Sequence, residues 1–436
     1  MSIRDLPRRL RLKFVSAPDF FVGMSMCLIV GLVCGASAAL LRWLIQHMSL
    51  VAHSMMHLEK GNWMLIVLPV VGIVCTGIFT RYILRDDIEH ASDKINDRLH
   101  RGITDISPKL IYGPLVASTM TLGFGGSAGA EGPIATIGAA LGGNLSRRIG
   151  LPDHKVRVLI ACGAAAGIAG IFQAPVGGML YALEYMGLTL TTVPVIGILA
   201  TCMVASLTAY VLSGCVPDLS LTRFVPQSLD YLPAVALLGL CCGFYSLYYN
   251  YTGHSAARRL VAIGNPWLRN VVSGLWVGVL LFLFPALYGE GYEVVNNLMN
   301  RADYTLGDYS PLYVLNHWGN YGLLLIGLGL LMAKGVAAFS SNSGGGVAGN
   351  FAPTLFAGAI AGYLFVMGAK SLFGMELPMP VFVLGGMAAV MGGTIKTPLM
   401  AIFLTIEMTA SYEYLLPVSL AGMVSFCVVK FYRGLI

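Results

Sequence analysis

Apolar runs long enough to cross a bilayer constrain this chain more than any other feature. One extends from about Phe20 to Ile45 and a second from about Trp63 to Leu84. A membrane-spanning helix needs roughly 20 such residues. Charge is scarce throughout. Asp, Glu, Lys and Arg make up 11% of the 436 residues and the AVILMFWYC set 56%, where soluble chains carry roughly 25% charged residues. Mean hydropathy is +0.75. These values exclude a cytosolic enzyme, a nucleic-acid-binding domain and a disordered chain. The net charge of +6 fits a membrane protein whose cytoplasmic loops collect Lys and Arg. Arg4, Arg8, Arg9, Arg11 and Lys13 precede the first run, which predicts an uncleaved span with a cytoplasmic N-terminus. Lys94, Arg98 and Arg101 follow the second run, so two crossings return the chain to its starting side.

Beyond Ile111 the apolar segments are cut by Gly and Pro. The cuts fall at Gly123 to Pro133, Pro152, Pro175, Gly344 to Pro353, Pro378 and Pro398. Such segments predict helices that stop inside the membrane, where irregular backbone survives only if it is buried or lines a cavity. The nine cysteines are scattered without a C-x-x-C pair and read as small apolar packing residues.

The interruptions repeat. Gly126, Ala128, Gly129, Pro133, Gly138 and Gly142 each have an identical partner 220 positions later, from Gly346 to Gly362. Gly163, Ala165, Ala166, Pro175 and Glu184 match Gly386, Ala388, Ala389, Pro398 and Glu407, 223 positions later. The chain is therefore two related halves. Residues 1–215 hold the N-terminal cytoplasmic segment and the first repeat, 216–230 a link, and 231–436 the second repeat. Repeats with interrupted spans at corresponding places predict a substrate site between the halves, near mid-membrane.

Gly129-Ala-Glu-Gly-Pro133 and Gly349-Asn-Phe-Ala-Pro353 each read as a glycine-rich turn opening a helix, with Pro in the first turn. The first N–H groups of a helix have no internal partner and carry partial positive charge. Two such ends meeting in the membrane make an anion site. Neither motif holds Lys or Arg, so the anion can be released. Glu131 fits two readings, a carboxylate that competes with the anion for the site and so gates it, or a helix cap. Its repeat partner is Phe351, which cannot titrate, so the turn does not require the Glu, and the gate is favoured. Glu184 and Glu407 are repeat partners and read as structural acids. His90, His100 and the other histidines show no metal-ligand spacing, and no nucleophile motif or phosphate-binding loop occurs. No metal and no cofactor is expected.

These residues resemble the CLC family of chloride channels and chloride/proton antiporters. Gly129-Ala-Glu-Gly-Pro133 is similar to the family's G-[KR]-E-G-P motif, whose Glu is the extracellular-side gate. Gly349-Asn-Phe-Ala-Pro353 is similar to its G-x-F-x-P motif, whose amides hold the central anion. Gly163-Ala-Ala-Ala-Gly167, Gln173-Ala-Pro175 and Ile406-Glu-Met-Thr409 fit the segments around them. The resemblance implies an all-α integral membrane protein with two inverted-topology repeats and broken helices meeting at mid-membrane. It also implies a homodimer with one pathway per subunit. The anion would sit among Gly349, Asn350, Phe351, Ala130 and Gly132, with Glu131 as gate.

Four departures stand out. Ala130 replaces the usual Arg or Lys. The inner-mouth G-S-G-I-P motif is replaced, at ungapped spacing, by Glu89-His-Ala-Ser-Asp93, which puts His90 or Ser92 at the anion-contacting serine. The antiporter's two successive Glu residues become Glu184-Tyr185, and a Tyr titrating near 10 is a poor proton acceptor. At the family's spacing the pore-lining Tyr would fall just beyond Ile436, with Tyr432 out of register, so either this protein lacks that contact or the chain has been cut short, and no nucleotide-binding tail is expected. The expectation is transport of chloride or a similar small anion, weakly or not coupled to protons, in a bacterial inner membrane. A chloride/proton antiporter with a substitute inner proton route and a fluoride or nitrate transporter are the alternatives. Lipid, the anion and a second copy are the expected partners, with protons a second candidate ion and nucleic acid excluded.

Overall fold

A computed structural model describes residues 19–54, 62–86, 88, 91–188, 192–215, 217, 219–221, 229–300, 306 and 310–435. His90, the basic N-terminal residues and most of the 216–230 link lie outside them. The two long apolar runs become α1 (Asp19–Ser54) and α2 (Met64–Ile78), the latter extended by a wider helical turn, Phe79–Leu84. Then come α3 (Ala91–His100), α4 (Gly113–Gly123), α5 (Glu131–Ile149), α6 (Asp153–Phe172), α7 (Pro175–Leu180, extended through Tyr181–Tyr185) and α8 (Thr192–Leu212). The later part forms α9 (Leu232–Val261), α10 (Pro266–Leu283), α11 (Tyr292–Asn300) and α12 (Asn320–Ser343). It ends with α13 (Phe351–Phe373), α14 (Met379–Ile395), α15 (Pro398–Met408) and α16 (Leu415–Leu435). No strand occurs among the described residues. Nine of the described helices are long and apolar enough to cross a membrane.

The breaks fall at Gly and Pro, and they repeat in geometry. α6 ends at Gln173, whose φ of 55° is left-handed, and Pro175 restarts the chain as α7. At the equivalent place α14 ends at Lys396, with φ 67°, and Pro398 opens α15. Proline lacks the N–H that would continue the helix, but fits the first turn of a new one.

The chain divides into two units. The first gathers residues to Arg42, Ala91–Leu115 and Pro133–Val216. The second gathers Trp43–His90, Val116–Gly132 and Pro217–Ile436. Within the first, Gly31 and Gly35 of α1 lie against Thr201 and Ala205 of α8. Within the second, Gly239 and Gly243 of α9 lie against Ala421 and Ser425 of α16. Both are Gly-x-x-x-Gly faces, which let membrane helices approach backbone to backbone. They extend the repeat beyond the two blocks visible in the sequence.

The second unit holds both glycine-rich motifs, and they bind each other symmetrically. Gly129 N–H donates to Gly349 O at 3.0 Å, and Gly349 N–H donates to Gly129 O at 2.6 Å. Ser127 N–H donates to Ser341 Oγ at 3.1 Å. Val347, the repeat partner of Ser127, donates to Thr121 Oγ1, the partner of Ser341, also at 3.1 Å. Gly125 and Gly345, partners again, turn the chain with φ of 95° and 103°, a region open to glycine and strained for other residues. A residue paired antiparallel with its own repeat equivalent marks a local two-fold axis. The two motif loops are thus inverted about the Gly129–Gly349 pair, and α5 and α13 both start beside it.

The close packing is testable. A methyl at Gly239 would fall 2.8 Å from Ala421 O, whereas one at Gly368 of α13 would meet nothing within 4 Å. Gly239→Ala should lower thermal stability in detergent by about 1–3 kcal/mol. Gly368→Ala should leave it unchanged or raise it by up to about 1 kcal/mol. Tryptophan-fluorescence melts of the two variants compare them.

Candidate functional site

Glu131 is the first residue of α5 and is buried, with 1% of its surface exposed. Its side chain reaches the start of α13. Phe351 N–H donates to Oε1, and Ala352 N–H donates to the same oxygen at 3.3 Å. These are the first N–H groups of a helix, which lack internal partners. The carboxylate therefore satisfies amides that the helix itself leaves open. Oε2 is buried with no hydrogen-bond partner. A side chain at Gly129 or Gly349 would overlap this carboxylate, so glycine on both sides lets the two chain segments close around it.

The other expected anion-site residues surround this contact. Gly349 N–H is already held by Gly129 O, so the amides of Phe351 and Ala352 face the charge in its place. Asn350 precedes α13, and its Oδ1 accepts from Asn342 Nδ2 at 3.5 Å. Gly132 packs close to Gly349, where an added methyl would lie 3.3 Å from Gly349 Cα. Ala130 N–H donates to Glu290 Oε1 at 2.9 Å.

Three residues of the second unit join the site without any sequence signal near the motifs. Lys334 of α12 is fully buried. Its Nζ donates to Ser127 Oγ at 2.9 Å and lies 4.6 Å from the centre of the Phe356 ring. Its amine is within electrostatic reach of Glu131 and Glu290. Glu290 sits in the turn between α10 and α11. Tyr249 of α9 is fully buried, and its hydroxyl has no hydrogen-bond partner. It too lies within electrostatic reach of Glu131. A lone Lys in an apolar span marks a functional candidate by its cost alone, and that signal was available at Lys334.

In the first unit, Tyr185 ends the wider turn after α7. Its hydroxyl donates to Asp93 Oδ1 at 2.5 Å, and its ring stacks on Tyr181 with centroids 4.9 Å apart. Tyr185 lies outside the nine spans. Burial, then the nearby Tyr181 and Asp93, push its phenol above the ordinary range, so it holds its proton more firmly than a free tyrosine. Glu184 beside it is half-buried, and its partner Glu407 accepts from Tyr412 Oη at 3.2 Å. Ser92 is half-buried in the first turn of α3. His90 is outside the described residues.

The start of α5 thus carries a buried carboxylate held by the first N–H groups of α13, with the Lys334 amine close by on α12. The voltage gated chloride channel family model matches residues 87–430. The chain belongs to this family. A ClcB-like protein of Ralstonia nicotianae is 29% identical over 374 residues, covering 82% of this chain and 81% of its own length. The H+/Cl− exchange transporter ClcA of Vibrio cholerae is 28% identical over 314 residues, covering 69% of this chain and 62% of its own. The crystal structure of a slow cyanobacterial Cl−/H+ antiporter aligns with a TM-score of 0.80 at 23% identity, covering 96% of both chains. The fold is thus the CLC fold of inverted repeats, in an integral membrane protein of a family of channels and transporters.

The cation is expected to raise anion affinity. Lys334→Met keeps the side-chain length and removes the charge beside Ser127. Chloride affinity measured by titration calorimetry in detergent should fall by about tenfold or more.

Proposed function

We propose that this CLC protein carries chloride or a similar small anion through a pathway gated by Glu131, with weak or no coupling to protons. The observation that supports this most is the Glu131 carboxylate resting on the Phe351 and Ala352 N–H groups. An anion and this carboxylate need the same donors. Protonation removes the carboxylate's charge and displacement removes the group itself, and either one frees the amides. The missing second Glu supports weak coupling, since Tyr185 in that place holds its proton. The bacterial relatives support a bacterial cell membrane as its location, and the family resemblance supports a homodimer.

A second reading is favoured by one contact. Asp93 accepts from Tyr185 Oη at 2.5 Å and would supply an acid where the sequence offers only Tyr. On that reading the protein is a chloride/proton antiporter with Asp93 as its inner acid.

Proteoliposomes under a chloride gradient separate the two. Chloride flux should rise as pH falls, because protonation of Glu131 removes the competing charge. Glu131→Gln should raise flux several-fold at pH 7 and lose most of that pH dependence. Flux of the variant equal to the unmodified chain at every pH would sink the gate. No proton movement is expected. Uphill proton pumping that Asp93→Asn abolishes, with chloride flux retained, would establish the second reading.

A further inference from the structure

We propose that Glu290 is a second, outer carboxylate in the anion pathway, competing with the anion for the Ala130 amide as Glu131 competes for the amides of Phe351 and Ala352. This rests on the Glu131 gate reading and extends it. The Ala130 N–H lies one residue before α5 and donates to Glu290 Oε1 at 2.9 Å. It is the same kind of donor, at the entry to a broken helix, that Glu131 takes on the opposite repeat.

The turn that carries Glu290 is built to hold it there. Gly289 and Gly291 flank it with φ of 60° and 85°, conformations that glycine adopts without strain. Tyr288, just before them, donates through Oη to Gly123 O at 2.8 Å. Its ring also meets His53 at 4.8 Å. A side chain at Gly291 would run into the Phe356 ring, the ring over which Lys334 Nζ lies. The turn is thus pinned to the motif loop on one side and to α13 on the other.

The groups bearing on Glu290 are Glu131 from the motif, Lys334 from α12, Tyr288 on its own turn and His53 behind that tyrosine. Glu290 and Glu131 lie within electrostatic reach of each other, and Lys334 within reach of both. Two carboxylates then share one buried cation. An arriving anion displaces them in turn, first Glu290 and then Glu131. Glu290 is half-buried, whereas Glu131 is buried, so Glu290 is the acid that meets solvent first.

The test compares Glu290→Gln and Glu290→Ala, each alone and with Glu131→Gln. Gln keeps an oxygen for the Ala130 N–H and loses only the charge. Ala loses both. Chloride affinity is read by calorimetry in detergent and flux in proteoliposomes from pH 5 to 8. Glu290→Gln should tighten chloride binding on the order of fivefold, by removing a charged competitor for one amide. Glu131→Gln should keep a shallow residual pH dependence of flux that the double variant lacks. Glu290→Gln matching its parent in both backgrounds overturns the proposal. So does an effect confined to Glu290→Ala, which would make the bond structural. A Glu131→Gln variant that behaves like the unmodified chain instead sinks the inner gate, while the affinity of Glu290→Gln alone still decides the outer one.

Discussion

The rest of the second unit is arranged around one exchange of backbone hydrogen bonds, between Gly129 and Gly349. Irregular backbone in a membrane must find partners within the protein, because lipid offers none. Here each broken segment satisfies the other, and the matched bonds from Ser127 and Val347 to hydroxyls across the axis complete the arrangement. With these groups paired, the motif loops can sit in the apolar interior. The amides left over are those of the helix starts, and they are the ones aimed at Glu131. The hold on Glu131 is thus a consequence of how inverted broken helices satisfy their own backbone.

Charge explains what this backbone frame alone does not. A carboxylate on helix N-termini is stabilised by the partial positive charge there, yet a strong grip would block the pathway. Burial of Glu131 opposes that grip by disfavouring a charge out of water. Lys334 lies on a different helix from either motif, anchored by Ser127 and by the Phe356 ring. Its field reaches the site without its side chain filling the anion's place. When protonated, such a group acts over a longer range than a surface lysine, because little solvent screens it.

Much of this was legible in the residues. The offsets of 220 and 223 placed the repeats, and the positions of Gly and Pro located the helix breaks. The sequence placed Glu131 and Phe351 at equivalent positions of the two repeats, and the Glu131 carboxylate accepts from the Phe351 N–H. The closeness of α1 to α8 and of α9 to α16 was not foreseen. Its signal, Gly31-x-x-x-Gly35 and Gly239-x-x-x-Gly243, lies at an offset of 208 from one pair to the other, outside both repeated blocks. Lys334, Glu290 and Tyr249 were missed for a different reason. Each lies more than a hundred residues from the first motif, and only the fold brings it to that motif. Periodicity and motif spacing report local structure, whereas a site built across inverted repeats is joined by tertiary contacts.

The Ala at position 130 fits within the same account. A cationic side chain there would place positive charge at the entry, beside Glu290, and pair with it. Alanine leaves only its backbone N–H, which Glu290 takes. The positive charge is supplied from within, by Lys334, and the negative charge stands at the entry. If the proposed outer role of Glu290 holds, an incoming anion meets a carboxylate where the usual motif offers a cation. On that proposal, entry depends on the state of Glu290 as well as on that of Glu131.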